Sequence, residues 1–160
     1  MPRQTKHVGD NRSATQRLVE FLADLRIFTI SLKSSNTELD RTAYESLMVK
    51  KSKDAIVNTR SNYQLAAVHE DTFDATADFK LTLDRRGAKG SVLSIECAYH
   101  IQIGSTPPIH KDLAETFTHS MLELLVWPYF REFVSDITGR MSIEPITIPF
   151  EAGYPEREIR

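Results

Sequence analysis

The chain has 160 residues, 41% of them apolar and 26% charged, and a formal net charge of −2. That length suits one domain with a proper core, and the near-zero charge excludes a general pull toward nucleic acid or acidic lipid. Cys97 is the only cysteine, so an internal disulfide is excluded and a reducing compartment is favoured.

Residues 1–12 are polar and basic, lack a signal-peptide core, and read as a disordered arm. Ser13 is placed to cap a helix from Ala14 to about Leu25, in which Leu18, Phe21, Leu22 and Leu25 make one apolar stripe. The stripe suits either docking on the core or an oligomer contact. Arg26 to Lys33 reads as a strand, with Phe28, Ile30 and Leu32 on one face and Thr29 and Ser31 on the other. Ser34 to Thr37 is expected to end it. From Glu38 to Lys51 the pattern is amphipathic, with Leu39, Ala43, Tyr44, Leu47 and Met48 as its apolar members. It fits a helix or an irregular crossover. Lys50, Lys51 and Lys53 suit a solvated loop, and Asp54 to Asn62 is expected to be loop or linker.

The clearest β pattern follows. Tyr63 to Glu70 is a plausible strand. Asp74 to Asp84 alternates Ala75, Ala77, Phe79, Leu81 and Leu83 with polar residues. Arg85 to Gly90 makes a hairpin loop. Ser91 to Ile103 then puts Leu93, Ile95, Cys97, Tyr99, Ile101 and Ile103 on one face. These strands predict a four-stranded antiparallel sheet, apolar on one side, in an α+β domain spanning residues 13–150.

Lys111 to His119 predicts a helical turn or two that buries Leu113 and Phe117. Ser120 to Glu123 has capping-box spacing, so a helix beginning at Met121 would hold Pro128 inside it. Alternatively Pro128 sits in the first turn of a helix starting near Trp127. Either version ends near Thr138, with Gly139 as its stop. Phe130, Phe133, Val134 and Ile137 are spaced as one helix face. The run Leu124 to Phe130 is too apolar for one sheet face to cover. At least one further surface, from this chain or another, must bury it, and an oligomer interface through Leu124, Leu125, Trp127, Tyr129, Phe130 and Phe133 would do so. Ile143 to Phe150 alternates apolar residues but carries Pro145 and Pro149, which suits an extended edge segment. Residues 151–160 read as a flexible tail.

Catalytic patterns are weak. No two of His7, His69, His100, His110 and His119 have metal-ligand spacing, and there is no phosphate-binding glycine loop or nucleophile elbow. His69-Glu70-Asp71 is the most suggestive cluster, and a solvated strand end explains it. The residues indicate a binding or assembly module and not an enzyme, with no cofactor. No apolar run approaches the ~20 residues of a membrane span, so a cytoplasmic protein without membrane insertion or a nucleic-acid partner is expected.

The segment Trp127-Pro128-Tyr129-Phe130-Arg131-Glu132-Phe133-Val134-Ser135, then Arg140, then Pro145-Ile146-Thr147-Ile148-Pro149-Phe150, resembles the signature of the SecB family. There an aromatic-Pro-Tyr-x-Arg-Glu run opens the main helix, an arginine follows, and a proline-bounded apolar segment comes next. One strand, a crossover and three strands precede the helix in both. The likeness covers most of residues 25–150 and is specific over about 116–150. It is greatest to SecB-like members outside the standard export chaperone.

The resemblance implies a homotetramer, a dimer of dimers, that holds unfolded polypeptides without ATP. Some members deliver clients to the export ATPase SecA, and others protect an antitoxin in a toxin–antitoxin module. Export members carry a further helix and tail after the proline-bounded segment, and Glu151 to Arg160 is shorter than that. The likeness therefore points to client holding ahead of protein transport through SecA. The N-terminal helix is an addition relative to the export protein. Candidate client-binding residues are Phe28, Ile30 and Leu32, then Tyr44, Leu47 and Met48 of the crossover, then Ile146, Ile148 and Phe150. The alternative is an adaptor of the same fold that binds one folded partner.

Overall fold

The computed structural model describes residues 13–49, 54–106, 108–148 and 157–158. In chain order the elements are α1 (Ala14–Asp24), β1 (Arg26–Leu39), α2 (Arg41–Val49), β2 (Ala55–Val68), β3 (Thr72–Arg85), β4 (Ser91–Gly104), α3 (Lys111–Ser120), α4 (Leu122–Arg140) and β5 (Arg157–Glu158). The four long strands form the expected antiparallel sheet, and the two-residue β5 adds to it in the order β1-β4-β3-β2-β5.

Local chemistry starts the helices. Ser13 and Gln16 make a reciprocal capping box at the head of α1. The Asp40 carboxylate accepts from the Ala43 amide at 2.9 Å and so caps α2. The hairpin between β3 and β4 turns on Gly87 and Gly90, whose φ values of 76° and 88° favour glycine. α4 continues through Pro128, as the longer of the two sequence readings has it. It begins without a side-chain cap, so the Ser120 box is not formed. Nor does it stop at Gly139. Ser142, at φ 56°, takes the left-handed position, with Ser142 N–H donating to Gly139 O and Ile143 N–H to Thr138 O. That pair of bonds is a Schellman motif built on serine.

Two strands differ from the sequence expectation. β1 continues through Ser34–Thr37 to Leu39, because the β4 ladder pairs it throughout and outweighs the weak propensity of those residues. β2 begins at Ala55, inside the expected loop, and pairs with β3 from that residue onward. Its alternation is faint because Thr59 and Ser61 stand where apolar residues would mark the covered face.

Register places the core. Phe73, Ala75, Ala77, Phe79, Leu81 and Leu83 of β3 face the helices beside the odd-numbered residues 93–103 of β4. α4 lies over β3 and β4. Phe79 stacks on Phe130 with centroids 4.6 Å apart and planes at 11°, and Trp127, Tyr99 and Tyr63 surround it. A second aromatic cluster joins α1 to the sheet, where Phe21 meets Phe73 and Phe117. Truncating a buried phenylalanine of this kind costs about 3–5 kcal/mol. The opposite face of the sheet is polar, and no described element covers it.

Candidate functional site

The exposed apolar side chains are the site-forming feature. Ile27, Phe28 and Leu32 of β1 are about half exposed, and Met48 and Val49 stand out at the end of α2. β1 is an edge strand, and α2 packs back against β4, so this surface lies on the β1–β4 half of the molecule.

Two register shifts shape β1. One skips Phe28, between Ile27 and Thr29; the other skips Lys33, between Leu32 and Ser34. Each shift is an extra residue that reverses the alternation. Ile27, Ile30 and Leu32 consequently pair with Ile103, Ile101 and Tyr99 on the helix-bearing face. Phe28 does not share that face, contrary to the simple alternation. Its ring lies over Gly104.

The crossover is a true helix, and it divides the three residues expected there. Leu47, at 1% exposure, and Tyr44 are core residues. The Tyr44 hydroxyl accepts from the Glu144 amide at 3.2 Å, and Arg41 donates to Met141 O at 2.6 Å. These bonds hold α2 to the segment after α4. Only Met48 of the three is exposed. The physical reason is amphipathic spacing: a nine-residue helix beside a sheet turns Tyr44 and Leu47 inward together and leaves the next residue outside.

Residues 141–148, directly after α4, form no strand. Arg131 Nε donates to Ile148 O at 2.9 Å, and Thr138 Oγ1 accepts weakly from the Ile146 amide at 3.4 Å. Ile148 is buried and Ile146 half-buried against the chain's own core. Phe150 and Pro149 lie outside the described residues.

The apolar run at the start of α4 is also split. Val126, Trp127 and Phe130 are buried within the protomer, so the sheet covers more of the run than its composition suggests. Leu125 and Phe133 are half-buried, and Leu124 and Tyr129 are exposed, Leu124 at 70%. Leu124 and Tyr129 are therefore the residues of this set that remain available to another chain. Ile27, Val49 and the exposed Val19 of α1 were missed from sequence. Only the position of Val49 at a helix end gave any signal.

Among the described residues the titratable side chains pair in small groups. His69 and His100 both approach the Asp74 carboxylate, at 3.3 and 3.2 Å, in place of the His69-Glu70-Asp71 cluster the sequence suggested. No group of three or more His, Cys, Asp or Glu among the described residues is arranged to hold a metal. Burial pushes the Cys97 thiol from its ordinary 9.0 up to about 12, so it is a poor nucleophile. No helix among the described residues is long and apolar enough to cross a membrane.

No family model matches the chain. A stretch of 50 residues is 34% identical to the SecB-like chaperone Rv1957 of Mycobacterium tuberculosis (strain ATCC 25618 / H37Rv), and equally to the SecB-like chaperone MT2006 of strain CDC 1551 / Oshkosh. The match covers 31% of this chain and spans 27% of the length of those curated relatives. A solved structure, the Mycobacterium tuberculosis Rv1957 SecB-like chaperone in complex with a ChAD peptide from the Rv1956 HigA1 antitoxin, superposes with a TM-score of 0.66 at 15% identity. That superposition covers 86% of this chain and 95% of the other. The architecture is thus the SecB-like α+β fold, a four-stranded antiparallel sheet with its long helix laid across one face.

Proposed function

We propose that the protein is an ATP-independent holdase that binds unfolded polypeptide on the apolar surface of β1 and α2. The observation that carries this is the exposure of Ile27, Phe28, Leu32, Met48 and Val49 on one half of a well-packed domain. Such side chains suit clients of many sequences, and methionine adapts to varied partners. Phe28, Ile30, Leu32 and Met48 remain client-contact candidates, while Tyr44 and Leu47 anchor α2 from below and Ile148 is part of the core.

The likeness to a chaperone solved with an antitoxin peptide supports a dedicated client of that kind. We place the protein in the cytoplasm, where its single buried thiol suits a reducing medium. We also read it as a homotetramer, with Leu124 and Tyr129 as contacts between protomers.

Binding to reduced, carboxymethylated α-lactalbumin, which cannot fold, tests the central reading against native α-lactalbumin. The holdase binds the unfolded form and ignores the folded one. Equal indifference to both sinks the proposal.

A further inference from the structure

The edge of the sheet opposite β1 already holds an extended segment. Arg157 and Glu158 pair antiparallel with Val57 and Ile56 of β2. From Ala55 to Leu65 β2 pairs with β3 without a register shift, so its outer edge presents a regular row of main-chain groups. Beyond Val57 no described strand continues that pairing, and Arg60, Ser61 and Asn62 are exposed.

Two further features meet there. Val57, Thr59, Ser61 and Tyr63 pair with inward residues of β3, so they share the helix-bearing face, and Val57 and Tyr63 are only partly covered. An open depression of about 540 Å³ reaches β2 at Arg60, Ser61 and Asn62. The depression crosses the sheet from Ser34–Asn36 of β1 to its β2 end, so an added strand would close the open sides of Val57 and Tyr63 and would border that end.

We propose that the β2 edge from Ile56 to Asn62 accepts an extended strand of a client polypeptide, and that Arg157–Glu158 is a resident occupant which the client displaces. This rests on the holdase reading and assigns a second contact to it. Main-chain pairing gives affinity without demanding a sequence. Side-chain preference comes from alternation. Guest residues on the helix-bearing face meet Val57 and Tyr63 and should be apolar. Those on the other face lie beside Arg60 and should be acidic or polar. A resident of two residues is short enough to be exchanged, and while paired it shields part of an edge that would otherwise template aggregation.

Amide hydrogen exchange on the full chain, with carboxymethylated α-lactalbumin as the probe, tests this. Exchange across residues 56–62 should slow about 5-fold or more when the probe binds, as newly paired edge amides do. In the full chain carrying Arg157→Pro and Glu158→Pro, probe affinity should rise about 3-fold, because a competing internal state has been removed. Probe binding that protects other segments while leaving 56–62 unchanged overturns the inference alone. So does unchanged affinity in the double-proline chain. Protection of 56–62 that grows with protein concentration in the absence of probe assigns the edge to a second copy and also overturns it. Absence of any probe binding removes the holdase reading, and this inference with it.

Discussion

A Cβ placed on Gly104 would lie 2.5 Å from Cε2 and 2.7 Å from Cζ of Phe28. The aromatic ring of the first bulge in β1 thus occupies the space of the missing side chain on β4. Asp71 O, 3.3 Å from the same point, blocks one direction of relief. Gly104→Ala should therefore displace the Phe28 ring and destabilise the protein by about 1–3 kcal/mol, the usual cost of overpacking. In the Phe28→Ala background the same substitution should cost well under that, because the clash is gone. Denaturant melts of the four chains measure the coupling, and additive effects would show that the two residues do not share this space.

α2 offers a separation of stability from binding. Leu47→Ala removes a side chain at 1% exposure and should cost about 2–5 kcal/mol. Met48→Ser alters a residue on the open side and should cost about 0.5 kcal/mol or less. It should nevertheless weaken binding of unfolded protein. Thermal melts and probe titrations on both variants check this. Normal binding by Met48→Ser would remove α2 from the client surface.

Reactivity at Cys97 should follow its burial. Below pH 9 the thiol is protonated in both folded and unfolded chains, and it contributes no pH dependence. As pH rises from 9.0 toward about 12, the unfolded thiol ionises while the folded one stays neutral, so stability falls through that window. Burial raises the Tyr63 and Tyr99 hydroxyls as well, and they add to the loss at higher pH. At pH 8 a thiol reagent such as DTNB should react slowly with native protein and promptly in denaturant. Prompt reaction in the native state would contradict the burial.

The tetramer is tested at Leu124, whose 70% exposure means a charge there costs the fold little. Leu124→Glu should keep the melting temperature of the protomer and lower the mass measured by light scattering. An unchanged oligomer would place the contact elsewhere, and a wild-type monomer at micromolar concentration would dismiss it.

The sheet was legible because β3 and β4 alternate cleanly, with one buried and one polar face. The long helix was legible through its spacing and its aromatic-proline run. Residues of β1 and β2 were harder to read. Phe28 and Lys33 are inserted as bulges, so period-two counting misplaces Phe28 relative to Ile30. Thr59 and Ser61 hide a covered face behind small polar side chains, and only pairing with Leu81 and Phe79 reveals it. The exposed surface was the least legible part. Tyr44, Leu47 and Met48 are equally apolar in sequence, and which of them point outward depends on how α2 sits against β4. The inward turn of Trp127 and Phe130 likewise depends on Phe79, a partner 51 positions from Phe130.

The central claim is tested most directly by diluting several unrelated denatured proteins into buffer, with and without this protein, and following light scattering in the absence of ATP. The account predicts that aggregation falls with each of them, at near-stoichiometric ratios, and that Met48→Ser together with Phe28→Ser weakens the effect while leaving the melt nearly unchanged. Protection of none of them, or protection undiminished in the double variant, would contradict it.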